Sequence, residues 1–97
     1  MKREDLLRAV IDALRETQRM CGHDADVTIT EGTIPIGDLV EFDSHNGLEA
    51  TLFLEERFDR PLPVNLFTNE STRRALAVGE VVDRLLKLEP VKETSDG

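Results

Sequence analysis

The stretch Ser44-His45-Asn46-Gly47-Leu48-Glu49-Ala50-Thr51-Leu52-Phe53-Leu54-Glu55-Glu56-Arg57-Phe58 decides the fold class. Ala50, Leu54 and Phe58 recur at i, i+4 and i+8 with Thr51 beside them, the spacing of one buried helical face. Asn46-Gly47 is a common hairpin dipeptide and argues the other way. Were residues 49–54 extended, they would join segments around 27–30, 33–36 and 39–42 in a small meander between two helices, and 43–47 would be a turn. The two architectures are therefore an all-α four-helix bundle and an α+β module with a short meander in residues 27–54. The period over residues 44–58 favours the first. Asn46 followed three residues later by Glu49 is compatible with a capping arrangement, so this helix begins at Asp43 or as late as Asn46.

Upstream, residues 3–20 place Leu6, Leu7, Val10, Ile11 and Leu14 at helical spacing with charges elsewhere, which predicts an amphipathic first helix. Residues 21–43 hold Gly22, Gly32, Pro35 and Gly37 and no helical stripe, a long loop between the first two long helices. The alternation Val27-Thr28-Ile29-Thr30 and Ile34-Pro35-Ile36 around Glu31-Gly32 would by itself suggest a hairpin, whose second half Pro35 demotes to an edge or a loop. Downstream, Pro61 and Pro63 enforce an extended link. A short helix is expected over residues 69–76. Val78, Val81, Val82, Leu85 and Leu86 then predict a last amphipathic helix stopped at Pro90. Residues 1–90 form a single domain on this reading, and 91–97 a polar, frayed tail.

With 97 residues the chain suits one core. Folding at this size hides only about 60–65 % of the surface of the unfolded chain, which leaves little room for a deep catalytic pocket and speaks against an enzyme. A formal net charge of −8 opposes binding to nucleic-acid phosphates and calls for basic partners. No apolar run approaches the ~18–20 residues of a membrane span, and the N-terminus lacks the apolar stretch of a signal peptide, so a cytoplasmic location is expected. The single Cys21 has no internal disulfide partner and reads as packing material at a helix end. His23, Asp24 and Asp26 in one loop read as a solvated turn rather than a metal site.

On a helical wheel for residues 44–58, Leu48, Leu52, Glu49, Glu55 and Glu56 lie opposite the core stripe. Two leucines one turn apart, framed by three carboxylates, have the anatomy of a transient protein contact: an apolar centre with a charged rim. The alternative is that Leu48 and Leu52 pack under residues 21–43. The acidity is local, with Asp38, Glu41, Asp43, Glu49, Glu55 and Glu56 in a stretch whose only basic residue before Asp59 is Arg57. Such a field steers encounters with a basic patch.

Gly37-Asp38-Leu39-Val40-Glu41-Phe42-Asp43-Ser44, followed by Leu48-Glu49-Ala50-Thr51-Leu52-Phe53-Leu54-Glu55-Glu56-Arg57-Phe58, resembles the acyl carrier protein family, whose Asp-Ser-Leu motif opens the second helix at this spacing. Ala77-Val78-Gly79-Glu80-Val81-Val82-Asp83 is similar to the segment that opens the family's last helix. The resemblance implies an all-α, four-helix carrier bundle in which Ser44 carries 4′-phosphopantetheine, derived from coenzyme A and attached by a phosphopantetheinyl transferase. The arm's thiol would hold an acyl-type intermediate as a thioester and present it to acyl-loading and acyl-processing enzymes with basic docking patches. It further implies that Asp43 helps present the site, that Leu48, Glu49, Leu52, Glu55 and Glu56 recognise partners, and that the chain is a monomer with no catalytic residues of its own. The helix start suits a phosphate, because unpaired backbone N–H groups and the positive dipole end gather there.

Two positions depart from the family pattern. His45 stands where Leu usually contacts partner enzymes, which points to a dedicated transferase, and Ala77 stands where a Thr often caps the last helix. Ser44-His45 is not a nucleophile and base, because adjacent helical residues diverge by ~100°. An unmodified adaptor on the same fold, or the small α+β interaction module, are the competing expectations.

Overall fold

The computed structural model describes residues 2–22, 28–39, 42–59, 61–63, 66–69 and 71–88. Among the described residues four helices follow one another: α1 Arg3–Met20, α2 Pro35–Asp38, α3 Ser44–Phe58 and α4 Val78–Leu88. Among the described residues there is no strand, only an isolated antiparallel bridge between Thr68 and Ala75. The all-α reading therefore holds at the level of class. The meander does not form: residues 49–54 lie inside α3, and Thr28 to Thr30 and Thr33 to Ile36 pair with no neighbouring strand. Val27, Val40 and Glu41 of that reading lie outside the described residues.

α1 packs against both α3 and α4 and so forms the centre of the bundle. Its buried stripe is Leu6, Val10 and Leu14 with Ala9 and Ala13, small residues that let neighbouring helices approach. Leu7 and Ile11, predicted on the same stripe, are only partly buried at its edge. The helix ends where Cys21 N–H reaches the Gln18 and Thr17 carbonyls and Gly22 N–H reaches the Arg19 carbonyl, with Gly22 at φ +84°, a left-handed conformation that suits glycine.

α3 starts at Ser44 with Asp43 as its N-cap, at the earlier end of the expected range. The Asp43 carboxylate accepts from the backbone N–H of His45 and Asn46, while the Asn46 side-chain oxygen accepts from Asp43 N–H at 3.1 Å. This reciprocal box replaces the expected Asn46 and Glu49 pair. Ala50 and Leu54 are fully buried, and Thr51 Oγ1 donates to the Gly47 carbonyl inside the core. Asp59, at φ 58° and ψ 45°, ends the helix in a left-handed turn. Gly47 has a packing role as well as a local one: a Cβ there would lie 3.5 Å from the Phe67 ring and 3.8 Å from Ile36 Cδ1. Phe67 in turn meets Phe42 edge to face, ring centroids 6.4 Å apart.

The long loop between α1 and α3 is a structural part of the bundle. α2 is a single turn with non-helical dihedrals at Ile36 and Gly37, closed by Asp38, whose Oδ2 accepts from Ile34 N–H at 2.8 Å. Ahead of it, the Glu31 and Thr33 carbonyls accept from Gly79 and Val78 N–H at 2.9 and 2.8 Å. The loop thereby caps α4, and Glu80 Oε1 closes the same end on Ala77 N–H at 2.8 Å. Ala77 thus needs no side-chain oxygen, since backbone and Glu80 acceptors satisfy the helix start.

The helix expected over residues 69–76 is not formed. Asn69 Oδ1 accepts from Ser71 and Thr72 N–H, Asn69 N–H donates to the Arg74 carbonyl, and Arg73 sits at φ 61°. An Asx turn has captured the backbone donors that a helix would have used. Arg84 of α4 fastens this turn by donating to the Leu66 and Thr68 carbonyls. Glu70, Pro90 and the 91–97 tail lie outside the described residues.

Candidate functional site at the start of α3

Every residue picked out around Ser44 falls on the start or the flank of α3. Ser44 is the first residue of the helix, directly after its N-cap Asp43. The Ser44 side chain lies outside the described atoms, so its setting is given by its neighbours. Both N–H groups capped by Asp43 bond to Oδ1, His45 at 3.0 Å and Asn46 at 3.2 Å, so Oδ2 of this exposed carboxylate has no partner among the described residues. This corrects one expectation. The N–H groups of His45 and Asn46 are not unpaired, so the helix offers a phosphate its dipole rather than those two amides.

His45 is 77 % exposed in its side chain and carries Nε2 4.0 Å from Glu49 Oε2 one turn along. Its ring thus lies over the acidic flank. Asn46, by contrast, is buried, and its Nδ2 donates to Cys21 Sγ at 3.1 Å. Cys21 is at a helix end as expected, but it is exposed rather than packed. Its proximity to the α3 start joins residues 25 positions apart, a relationship with no local sequence signal.

The acidic flank divides in a way the wheel does not show. Leu52 is 50 % exposed and Glu56 is exposed, whereas Leu48, Glu49 and Glu55 are half-buried. The outward leucine pair is therefore one open leucine and one partly covered. Glu55 is not a free rim charge, because its Oε2 accepts from Leu62 N–H at 2.8 Å and holds the Pro61 to Pro63 link against the helix. Proline at 61 and 63 leaves Leu62 as the N–H donor between them, which explains the choice of partner. Glu49, Leu52, Glu55, Glu56 and Asp59, with Phe53, line one open depression on this flank.

Among the described residues no group of three or more His, Cys, Asp or Glu side chains is arranged to hold a metal ion. His23, Asp24 and Asp26 lie outside them. No helix is long and apolar enough to cross a membrane. No family model matches the chain, and comparison with curated proteins and with solved structures likewise gives no match.

Proposed function

We propose that the protein is an acyl carrier whose Ser44 bears 4′-phosphopantetheine. The observation that carries this reading is the position of Ser44 as the first residue of a 15-residue helix, behind an exposed N-cap carboxylate with one oxygen unpartnered among the described residues. The dipole of α3 favours the phosphodiester that modification of a serine at this position creates. Asp43 Oδ2 supplies an anionic oxygen next to the site, suited to a divalent ion brought by that enzyme. When bound, the arm supplies a thiol that carries an acyl group as a thioester; this chain's residues position the arm and present it, and do no chemistry of their own.

Leu52 with Glu49 and Glu56 forms the surface offered to the basic patches of a transferase and of acyl-loading and acyl-processing enzymes. Glu55 has a supporting role there, and His45 is the exposed residue that discriminates among transferases. The test is intact-mass measurement after incubation with coenzyme A, magnesium and a panel of phosphopantetheinyl transferases. A phosphopantetheine adduct that is absent from Ser44→Ala is expected. No adduct with any transferase, or an adduct that survives Ser44→Ala, would overturn the proposal in favour of an unmodified adaptor.

A further inference from the structure

Acids outnumber bases on this chain, 20 to 12, and most of the described arginines are committed to an acceptor. Arg3, Arg19, Arg57 and Arg74 each pair with a carboxylate, and Arg84 donates to the Leu66 and Thr68 carbonyls. The guanidinium groups of Arg8 and Arg15 have no ion-pair or hydrogen-bond partner among the described residues. Both line the same open depression on α1.

The floor of that depression is apolar. Leu7 and Ile11 of α1 are half-buried in it, and Ile29 is buried beneath. Two acids border it: Asp12 is taken by Arg57 of α3 at 3.3 Å, and Glu4 stands at the N-terminal end. The Arg15 Nε–H is shielded from solvent and has no acceptor among the described residues, so this guanidinium is partly desolvated. A partly desolvated cation attracts an anion more strongly than a fully hydrated one. Arg8 and Arg15 are seven positions apart on α1, two turns or about 10 Å. Carboxylates two turns apart on another helix have the same separation, and an apolar side chain between them meets Leu7 and Ile11.

We infer that the α1 strip Leu7, Arg8, Ile11, Arg15 docks an acidic, leucine-bearing helix of a partner protein. The depression shares no lining residue with the acidic one on α3, so the protein has two docking faces of opposite charge. A partner helix covers the strip alone, and at physiological salt fields are screened within about 8 Å, so the local cations outweigh the distant acids. An anionic bilayer or a nucleic acid would meet the chain over a wider area, where the net charge of −8 opposes it. The inference does not depend on Ser44 carrying an arm.

The probe is a synthetic helical peptide with two glutamates two turns apart and leucines between them, beside a counterpart with lysines at the glutamate positions. Each is titrated at physiological ionic strength into the full chain, labelled with nitrogen-15 and followed by two-dimensional NMR. The glutamate peptide is expected to shift the amide signals of residues 4–15 and of Ile29. Arg8→Glu with Arg15→Glu is expected to weaken its binding at least about tenfold. Arg8→Gln with Arg15→Gln, which only removes charge, is expected to weaken it less, and Glu49→Gln with Glu56→Gln to leave it unchanged. Circular dichroism confirms that each variant is folded before it is scored. No shifts with the glutamate peptide, a lysine peptide that binds the strip as tightly, or arginine variants that bind like the parent would each overturn the inference. Sedimentation velocity on the parent and pelleting with phosphatidylglycerol vesicles test the other occupants. Self-association or vesicle binding that the arginine variants abolish would overturn it in favour of a second copy or a lipid surface.

Discussion

Gly79 N–H donates to the Glu31 carbonyl oxygen at 2.9 Å, and a Cβ on Gly79 would lie 3.3 Å from that same oxygen and 3.0 Å from Glu31 Oε1. The start of α4 and the loop before α2 thus approach as closely as a residue without a side chain permits. Gly79→Ala is expected to destabilise the fold by about 1–3 kcal/mol, the usual range for overpacking, despite the better helix propensity of alanine. Urea unfolding followed by circular dichroism at 222 nm measures it. A variant as stable as the parent would show that the loop yields at no cost.

Gly47 makes the opposite case. A methyl group on it would stand at ordinary contact distance, 3.5 to 3.8 Å, from its nearest neighbours Phe67 and Ile36, and the residue lies within α3. Gly47→Ala is expected to stabilise the protein by about 0.5–1 kcal/mol through lower unfolded-state entropy and added contact. The same unfolding experiment decides the sign.

The two ends of the Asp43 and Asn46 box depend on each other. Removing the Asp43 carboxylate in Asp43→Ala is expected to cost about 1 kcal/mol, as for other N-cap losses. Asn46→Ala also leaves Asp43 N–H without its side-chain acceptor, so the double variant should lose less than the sum of the singles. Strict additivity in a double-mutant cycle would mean that the two bonds act separately.

Leu54 and Leu52 separate core from surface on one helix. Leu54 is fully buried and Leu52 is 50 % exposed. Leu54→Ala is expected to lose about 2–5 kcal/mol, and Leu52→Ala to stay within about 0.5 kcal/mol of the parent. Thermal melts of the two variants give the comparison directly.

Arg3 donates to Glu31 at 2.7 Å and to Asp83 at 3.2 Å, tying the start of α1 to the loop and to α4. The hydrogen bond from Arg3 holds the Glu31 carboxyl below its ordinary pKa. A depressed folded pKa contributes stability above the unfolded value of 4.5, and that contribution is lost as pH falls through the folded value. The pair is exposed, so the effect is small. Glu31→Gln is expected to lower the urea midpoint slightly at pH 7 and to match the parent at pH 2, where both carry an uncharged side chain at 31. A gap that persists unchanged at pH 2 would assign the effect to packing.

Much of the helical skeleton could be read from local pattern. Leu6, Val10 and Leu14, Ala50 and Leu54, and Val78, Val81, Val82 and Leu85 all repeat at helical spacing, and all are buried. Hydrophobic periodicity carries that information because each helix must turn one face to a common core. Asp43 and Ser44 could likewise be placed at a helix start, since an acidic N-cap is a local choice. Residues 69–76 could not, because an Asx turn at Asn69 and the Arg84 side chain 16 and 18 positions from its acceptors compete with the helix.

What the sequence determined by itself, then, is where three long helices run and which stripe of each is apolar, for these depend on neighbours within a few residues. Tertiary structure alone decided that the Glu31 and Thr33 carbonyls cap α4, that Glu55 is committed to Leu62, and that Cys21 lies against Asn46. It also decided that Arg57 of α3 pairs with Asp12 of α1 across the groove between the two helices. Each of these joins groups on different elements, and a hydrogen bond or a field between elements exists only once packing against α1 has brought them within reach.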